Sequence, residues 1–248
     1  MAGRLNGKTA IVTGGGSGFG AGIAEAFAKE GARVMVADIN GDGAENIAQN
    51  INGIAHQVDV ADPKSVEAMA DAAYTSFGDV DILVNNAGVT HQSGALENVS
   101  EDEFDHVMAV NNKAIFLAAK TFIPAMKKAQ KGVILNVAST AGVSPRPNLS
   151  WYNASKGWAI TATKAMAVEL APFGVRVNAI NPVAGETPLL ASFMGEDTPE
   201  MRAKFLSTIP LGRFSQPEDM GHAAVFLCSD EASMITGVAL EVDGGRCI

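Results

Sequence analysis

The sequence predicts an α/β fold, a doubly wound parallel sheet of about seven strands with helices on both faces, and three observations predict it. Short apolar runs and amphipathic stretches alternate along the chain. The strand candidates are near-continuously apolar, as strands covered on both faces must be. A glycine-rich turn follows the first of them and opens directly into a helical pattern, the Rossmann-type arrangement.

The strand candidates in order are Thr9–Val12, Arg33–Ala37, Ile54–Val58, Ile82–Val84, Gly132–Val137, Val175–Ile180 and Val238–Val242. Helical periodicity fills the intervals at 18–30, 41–51, 63–77, 101–127, 152–172 and 217–228. No linker composition divides the 248 residues, so one domain, 1–248, is expected. Only 183–216 breaks the rhythm. It carries Pro188, Pro199 and Pro210 with short helical pieces at Leu189–Met194 and Pro199–Leu206. An insertion of that length between a strand and its next helix predicts a substrate-binding loop or lid within the domain.

The turn Thr13-Gly14-Gly15-Gly16-Ser17-Gly18-Phe19-Gly20 carries the first chemical signal. Residues without a Cβ let backbone amides approach phosphate oxygens, and the helix that follows offers unpaired N–H groups to the anion. This assigns Gly14, Gly16, Ser17, Gly18, Phe19 and Gly20 to a dinucleotide pyrophosphate. Asp38, followed by Ile39, ends the second strand 18 residues after Gly20, where a carboxylate meets ribose hydroxyls and repels a 2′-phosphate. No Arg or Lys follows in Ile39-Asn40, and Ser17 stands where a basic residue would have met that phosphate. NAD is therefore expected in preference to NADP. Asp38 also fits a helix N-cap or turn residue. Asp59 and Val60 follow the third strand, placed for the adenine edge. Asn86, Ala87 and Gly88, in Asn85-Asn86-Ala87-Gly88, follow the fourth and fit a wall beside adenine and ribose.

A net charge of −9 argues against nucleic acid or an anionic membrane as partner. The start of the chain lacks the apolar core of a signal peptide, and no apolar run approaches the roughly 18 to 20 residues that span a bilayer, so a cytoplasmic protein is expected. Cys228 and Cys247 give no disulfide framework, and Cys228 ends an apolar run as core packing. His56, His91, His106 and His222 show no ligand spacing, so no metal is expected. His91 reads as an exposed loop residue.

The second signal lies at Tyr152-Asn153-Ala154-Ser155-Lys156, with Ser139 ending the fifth strand 13 residues before the tyrosine. Tyr152 and Lys156 stand four apart and share a helix face. A free tyrosine titrates near about 10, and a neighbouring ammonium is expected to draw it down into the working range of a general base. Ser139 is placed to hold the reacting oxygen as charge develops. This Y-x-A-S-K motif, the T-G-x-x-x-G-x-G loop and N-N-A-G resemble the short-chain dehydrogenase/reductase family, in the family's order and over the whole chain.

The resemblance implies hydride transfer between a nicotinamide and an alcohol or carbonyl compound, with Tyr152 as acid and base. It implies that Lys156 also grips the nicotinamide ribose, and that Asn111, in Val110-Asn111-Asn112-Lys113, is a helix asparagine holding a proton-relay water. Asn181-Pro182-Val183-Ala184-Gly185-Glu186-Thr187 is similar to the family's P-G-x-x-x-T, which implies Pro182, Val183 and Thr187 at the nicotinamide. Val183 replaces the usual glycine there, so a rerouted backbone is expected.

Longer strings such as V-A-S-T-A-G-V-S-P and N-P-V-A-G-E-T-P resemble an NAD-preferring branch that acts on substituted aromatic alcohols or aldehydes. The family also holds 3-oxoacyl-carrier-protein reductases and sugar dehydrogenases, the alternative readings, and a carrier protein would need a basic docking patch. A non-catalytic NAD-sensing scaffold is the reading from another class, and the complete Asn111, Ser139, Tyr152 and Lys156 set argues against it. Pocket candidates are Val143, Leu149, Trp151, Leu190 and Met194, with Arg146 the only nearby cation. The family implies a homotetramer through the 101–127 and 152–172 helices, and Ala114, Ala118, Ala119, Ala159, Ala162, Ala165 and Ala167 are the small residues that support it.

Overall fold

The computed structural model describes residues 3–195 and 197–248. Seven strands, β1 (Thr9–Thr13), β2 (Arg33–Asp38), β3 (Ile54–Gln57), β4 (Ile82–Asn85), β5 (Gly132–Val137), β6 (Val175–Pro182) and β7 (Ala239–Val242), form one sheet. Their order is β3-β2-β1-β4-β5-β6-β7 and every pairing is parallel. The fold class is the one the alternating pattern predicts. Strand order reverses between β1 and β4, and such a reversal opens a crevice at the carboxyl ends of the strands.

Successive strand residues feed opposite faces. Val12, Val34, Val36, Val84 and Leu135 pack with Ile23, Phe27, Met220 and Val225, from α1 (Gly18–Lys29) and α9 (Pro217–Cys228), and α2 (Gly41–Asn50) adds Ala44 and Ala48. Ile11, Met35, Leu83 and Ile134 face α3 (Pro63–Phe77), α5 (Ala114–Ala129) and α6 (Ser150–Leu170) through Met69, Phe122 and Leu170. Cys228 is buried in the first cluster. Among the described residues no helix is long and apolar enough to cross a membrane.

The helical stretch expected at 101–127 is continuous but contains a widened turn that divides it into two α segments. α4 (Glu101–Met108), started by a Ser100–Glu103 capping box, runs through a π turn at Ala109–Lys113 into α5. A hydrophobic period cannot register one widened turn. The alanines read as a subunit-contact face also divide differently. Ala114, Ala118, Ala159 and Ala167 are buried inside this chain, while Phe116, Trp158 and Val168 are the exposed large apolar residues of α5 and α6.

Between β6 and α9 lie α7 (Leu190–Met194) and α8 (Pro199–Leu206), the latter started by Thr198 bonding the Met201 N–H and by Pro199. Val183, Leu190, Met194, Ile209 and Phe214 form a small core of their own here. Arg202 ties the segment by ion pairs to Glu186 and Asp197.

Candidate active site

One cavity of about 510 Å³ opens over the carboxyl ends of β1, β4, β5 and β6. At one end it is walled by Gly14, Ser17, Gly18, Phe19 and Gly20, by Asp38 and Ile39 after β2, by Asp59 and Val60 after β3, and by Asn86, Ala87 and Gly88 after β4. At the other end stand Ser139, Tyr152, Lys156, Pro182, Val183 and Thr187. Gly16 and Asn111 are not part of that wall.

The turn after β1 needs its glycines. Gly14 sits at φ 62°, and a Cβ there would lie 2.8 Å from the Ala87 Cα; a Cβ on Gly20 would lie 2.0 Å from the Gly14 carbonyl oxygen. Asn86 locks the turn from the side of β4. Its amide donates to the carbonyls of Thr13 and Gly14, at 2.8 and 3.0 Å, and its backbone N–H donates to Thr13 Oγ1. Gly16 serves packing and tethering: its N–H donates to Asp38 Oδ2 at 2.9 Å, and a Cβ would stand 3.0 Å from the nitrogen of Ala44. Asp38 Oδ1 accepts from the Asn40 N–H, and Asn40, not Asp38, caps α2. Ser17, the N-cap of α1, makes no side-chain bond to the first turn, and Gly18, Phe19 and Gly20 of that turn line the cavity.

At the other end, α6 is pinned from beneath. Asn111 Nδ2 donates to Ser155 Oγ and to the Val89 carbonyl, its Oδ1 accepts the Val89 N–H, and Asn112 Nδ2 donates to the Ser155 carbonyl. Ser155 Oγ in turn donates to the Tyr152 carbonyl. The π turn therefore grips the one turn of helix that carries Tyr152 and Lys156. Asn111 lines a small adjoining pocket together with Lys156. A second polar chain, Asn85 to Asn136 to Thr163, fastens α6 to β4 and β5. Neither Asn136 nor Thr163 stood out in the sequence, since a lone polar residue in an apolar run carries no partner information.

Tyr152 and Lys156 are both buried, and Lys156 Nζ lies 5.9 Å from the Tyr152 ring centre while donating to the Val137 carbonyl at 3.0 Å. Burial pushes the Tyr152 phenol up to about 12, with the Ser139 hydroxyl opposing. Burial pulls the Lys156 ammonium down to about 8. The downward pull expected on Tyr152 from the ammonium is thus corrected: burial of the phenol dominates and raises it. Ser139 Oγ accepts the Ala141 N–H at 3.0 Å, which fixes it in the wall.

Val183 does not take a positive φ, the conformation its Cβ would disfavour, and it packs in the small core of the β6–α9 segment. A Cβ on Gly18 would lie 3.2 Å from the Thr187 Cβ, so this segment closes against the glycine turn. Of the apolar pocket candidates only Leu149 lines the cavity. Val143 is exposed, Trp151 packs on Phe104, and Leu190 and Met194 face the small core. Their neighbours Leu189 and Phe193, with Phe205 from α8, take the cavity side. His91, read as exposed, is buried with Nδ1 2.9 Å from the Gln92 carbonyl. Among the described residues no cluster of His, Cys, Asp or Glu has metal-binding geometry.

Comparison with known proteins fixes the class. Residues 14–246 match the family described as enoyl-(acyl carrier protein) reductase. The chain is 49% identical over 250 residues to a 4-formylbenzenesulfonate dehydrogenase of Comamonas testosteroni, covering 98% of this chain and 99% of that one. It is 38% identical to a 3-oxoacyl-[acyl-carrier-protein] reductase of Thermotoga maritima, over 99% and 100% of the two chains. A crystal structure of a 3-ketoacyl-(acyl-carrier-protein) reductase from Brucella melitensis complexed with NADH superposes with a TM-score of 0.93 at 51% identity, over 98% and 100%. The chain belongs to the short-chain dehydrogenase/reductase family.

Proposed function

We propose that this chain is an NAD(H)-dependent oxidoreductase that moves hydride between the nicotinamide and a secondary or aromatic alcohol or its carbonyl counterpart, with Tyr152 as the acid and base. The observation that carries the reading is the shared cavity: Ser139, Tyr152 and Lys156 open into the same space as the glycine turn. The residues fit a dinucleotide. Side chains at Gly14 and Gly20 would fill the turn, and the first turn of α1, which lines the cavity, offers N–H groups to a pyrophosphate. Asp38 lines the cavity and has acceptor capacity left after accepting from Gly16 and Asn40, which suits ribose hydroxyls, and a carboxylate opposes a 2′-phosphate, so NAD is favoured.

When bound, the nicotinamide supplies the hydride acceptor or donor. The chain supplies the rest. Ser139, with Oγ accepting from Ala141, has a single O–H beside the Tyr152 phenol, and this donor turns to the substrate oxygen when one is bound. Tyr152, neutral at pH 7 with its phenol held at about 12, is set to donate a proton in reduction. Oxidation asks the reverse, and the ammonium of Lys156, one helical turn away, stabilises the phenolate that must form. Lys156 has two further N–H donors beyond the one given to Val137, available for the nicotinamide ribose. Asn111 acts through position, holding Ser155 and with it the turn that carries the pair.

A second reading, reduction of a 3-oxoacyl group on a carrier protein, draws support from the names of the Thermotoga and Brucella relatives. The net charge of −9 opposes docking of an acidic carrier. The test is NAD⁺ reduction across secondary, benzylic and sugar alcohols, with Tyr152→Phe beside the wild type. Turnover of an alcohol class that the variant loses supports the proposal. Turnover confined to 3-oxoacyl thioesters with NADPH overturns it.

A further inference from the structure

The β6–α9 segment brings two phenyl rings to the chemical end of the cavity. Phe193 packs on Tyr152 with ring centres 5.1 Å apart, and Phe205 packs on the guanidinium of Arg146 at 4.6 Å. Arg146 lines the cavity, and its carbonyl is held by Asn153 Nδ2, next to the catalytic tyrosine, at 2.7 Å.

Arg4, Arg202 and Arg213 pair with carboxylates, and Arg176 donates to three backbone carbonyls. Arg146 has only a long bond to Thr208 Oγ1 at 3.3 Å, and among the described residues no carboxylate pairs with it. Arg33 also has no carboxylate partner among the described residues, but it is exposed and donates to the Ser76 carbonyl at 2.8 Å, whereas Arg146 is half-buried. Arg246 adds a second positive charge nearby. It donates to Ser144 Oγ on the same loop, and its Nε is buried without a partner. Burial and the Arg246 charge together lower Arg146 to about 10, still protonated at neutral pH. A half-buried cation beside a like charge, facing a cavity, is stabilised by an incoming anion.

Resting on the alcohol-oxidoreductase reading above, we propose that Arg146 is a specificity-determining residue. It pairs with a carboxylate or sulfonate on an aromatic alcohol or aldehyde whose reacting carbon lies at Tyr152 and Ser139. The substrate ring lies between Phe193 and Phe205, and the anionic group is carried at the far side of the ring from the reacting carbon. Hydride and proton follow the route already described, and Arg146 takes no part in the transfer.

The experiment compares NAD⁺-dependent oxidation of para-carboxybenzyl alcohol with that of para-methylbenzyl alcohol, in wild type, Arg146→Gln and Arg146→Lys. The readout is the ratio of the two kcat/KM values. The ratio falls about 10- to 100-fold in Arg146→Gln, the range for a lost charge-assisted hydrogen bond, and recovers in part in Arg146→Lys. A ratio that does not change overturns the proposal, because a merely structural arginine moves both substrates together. Calorimetric titration of benzenesulfonate into the enzyme with NADH gives a second readout independent of turnover. Affinity weakened by a similar factor in Arg146→Gln supports the site, and equal affinity overturns it. If neither alcohol is oxidised by the wild type, the substrate reading fails while the titration still judges Arg146.

Discussion

Replacing Lys156 by Met separates what the site needs from what the fold needs. The lysine is buried, and its pKa falls from 10.5 to about 8. At ~1.36 kcal/mol per unit, that lowering corresponds to ~3 kcal/mol of destabilisation of the folded chain at neutral pH. Met fills a similar volume without charge but gives up the bond to the Val137 carbonyl, worth ~1 kcal/mol, so a net gain of about 1–2 kcal/mol is expected. The sign follows from proton counts. Below about 8 the lysine is charged in both folded and unfolded chains, and the full penalty applies. Between about 8 and 10.5 the unfolded chain keeps the proton that the folded chain has released, so wild-type stability rises with pH. The advantage of Lys156→Met therefore shrinks through that window. Urea unfolding without cofactor, at fixed protein concentration and at about pH 7 and about pH 10, reads it out. A variant less stable than wild type at neutral pH, or a stability gap that ignores pH, would refute the claim that burial dominates this lysine. Oxidation of alcohols is expected to fall steeply in the same variant.

Two further perturbations bear on the cofactor end. Gly20→Ala places a Cβ against the Gly14 carbonyl oxygen at 2.0 Å, so the turn must open, and NADH affinity by fluorescence titration is expected to fall at least about tenfold. Unchanged affinity contradicts the cradle. Asp38→Asn removes the charge that repels a 2′-phosphate while keeping an acceptor for the Gly16 N–H, and the NADP⁺/NAD⁺ ratio of kcat/KM is expected to rise about tenfold or more. A ratio that stays put means that another group sets the choice.

The sheet was legible because its signal is local and repeated: apolar runs such as Val34-Met35-Val36-Ala37 feed both faces, and each is followed by an amphipathic stretch. The glycine turn and the Tyr152–Lys156 spacing were legible for the same reason, since both lie within a few residues on one element. What was hidden depended on long-range partners. The π turn at Ala109–Lys113 answers to Val89 and Ser155, 22 and 44 residues from Asn111. α7 is apolar on both of its faces, Leu190 and Met194 on one, Leu189 and Phe193 on the other, and only packing decides which faces the cavity. The charge state of Tyr152 turned on burial, which spacing does not carry. His91 was misread because a loop position says nothing about what the loop packs beneath.

The central claim is that Tyr152 moves the proton, and one comparison tests it most directly: Tyr152→Phe against wild type, with NADH binding and NAD⁺-dependent alcohol oxidation measured on the same preparations. The account predicts NADH affinity within about threefold and turnover lower by about 10²- to 10⁴-fold, the range that general acid–base catalysis supplies. Turnover near the wild-type rate in the variant would contradict it, and the proton would then have to leave by a group other than Tyr152.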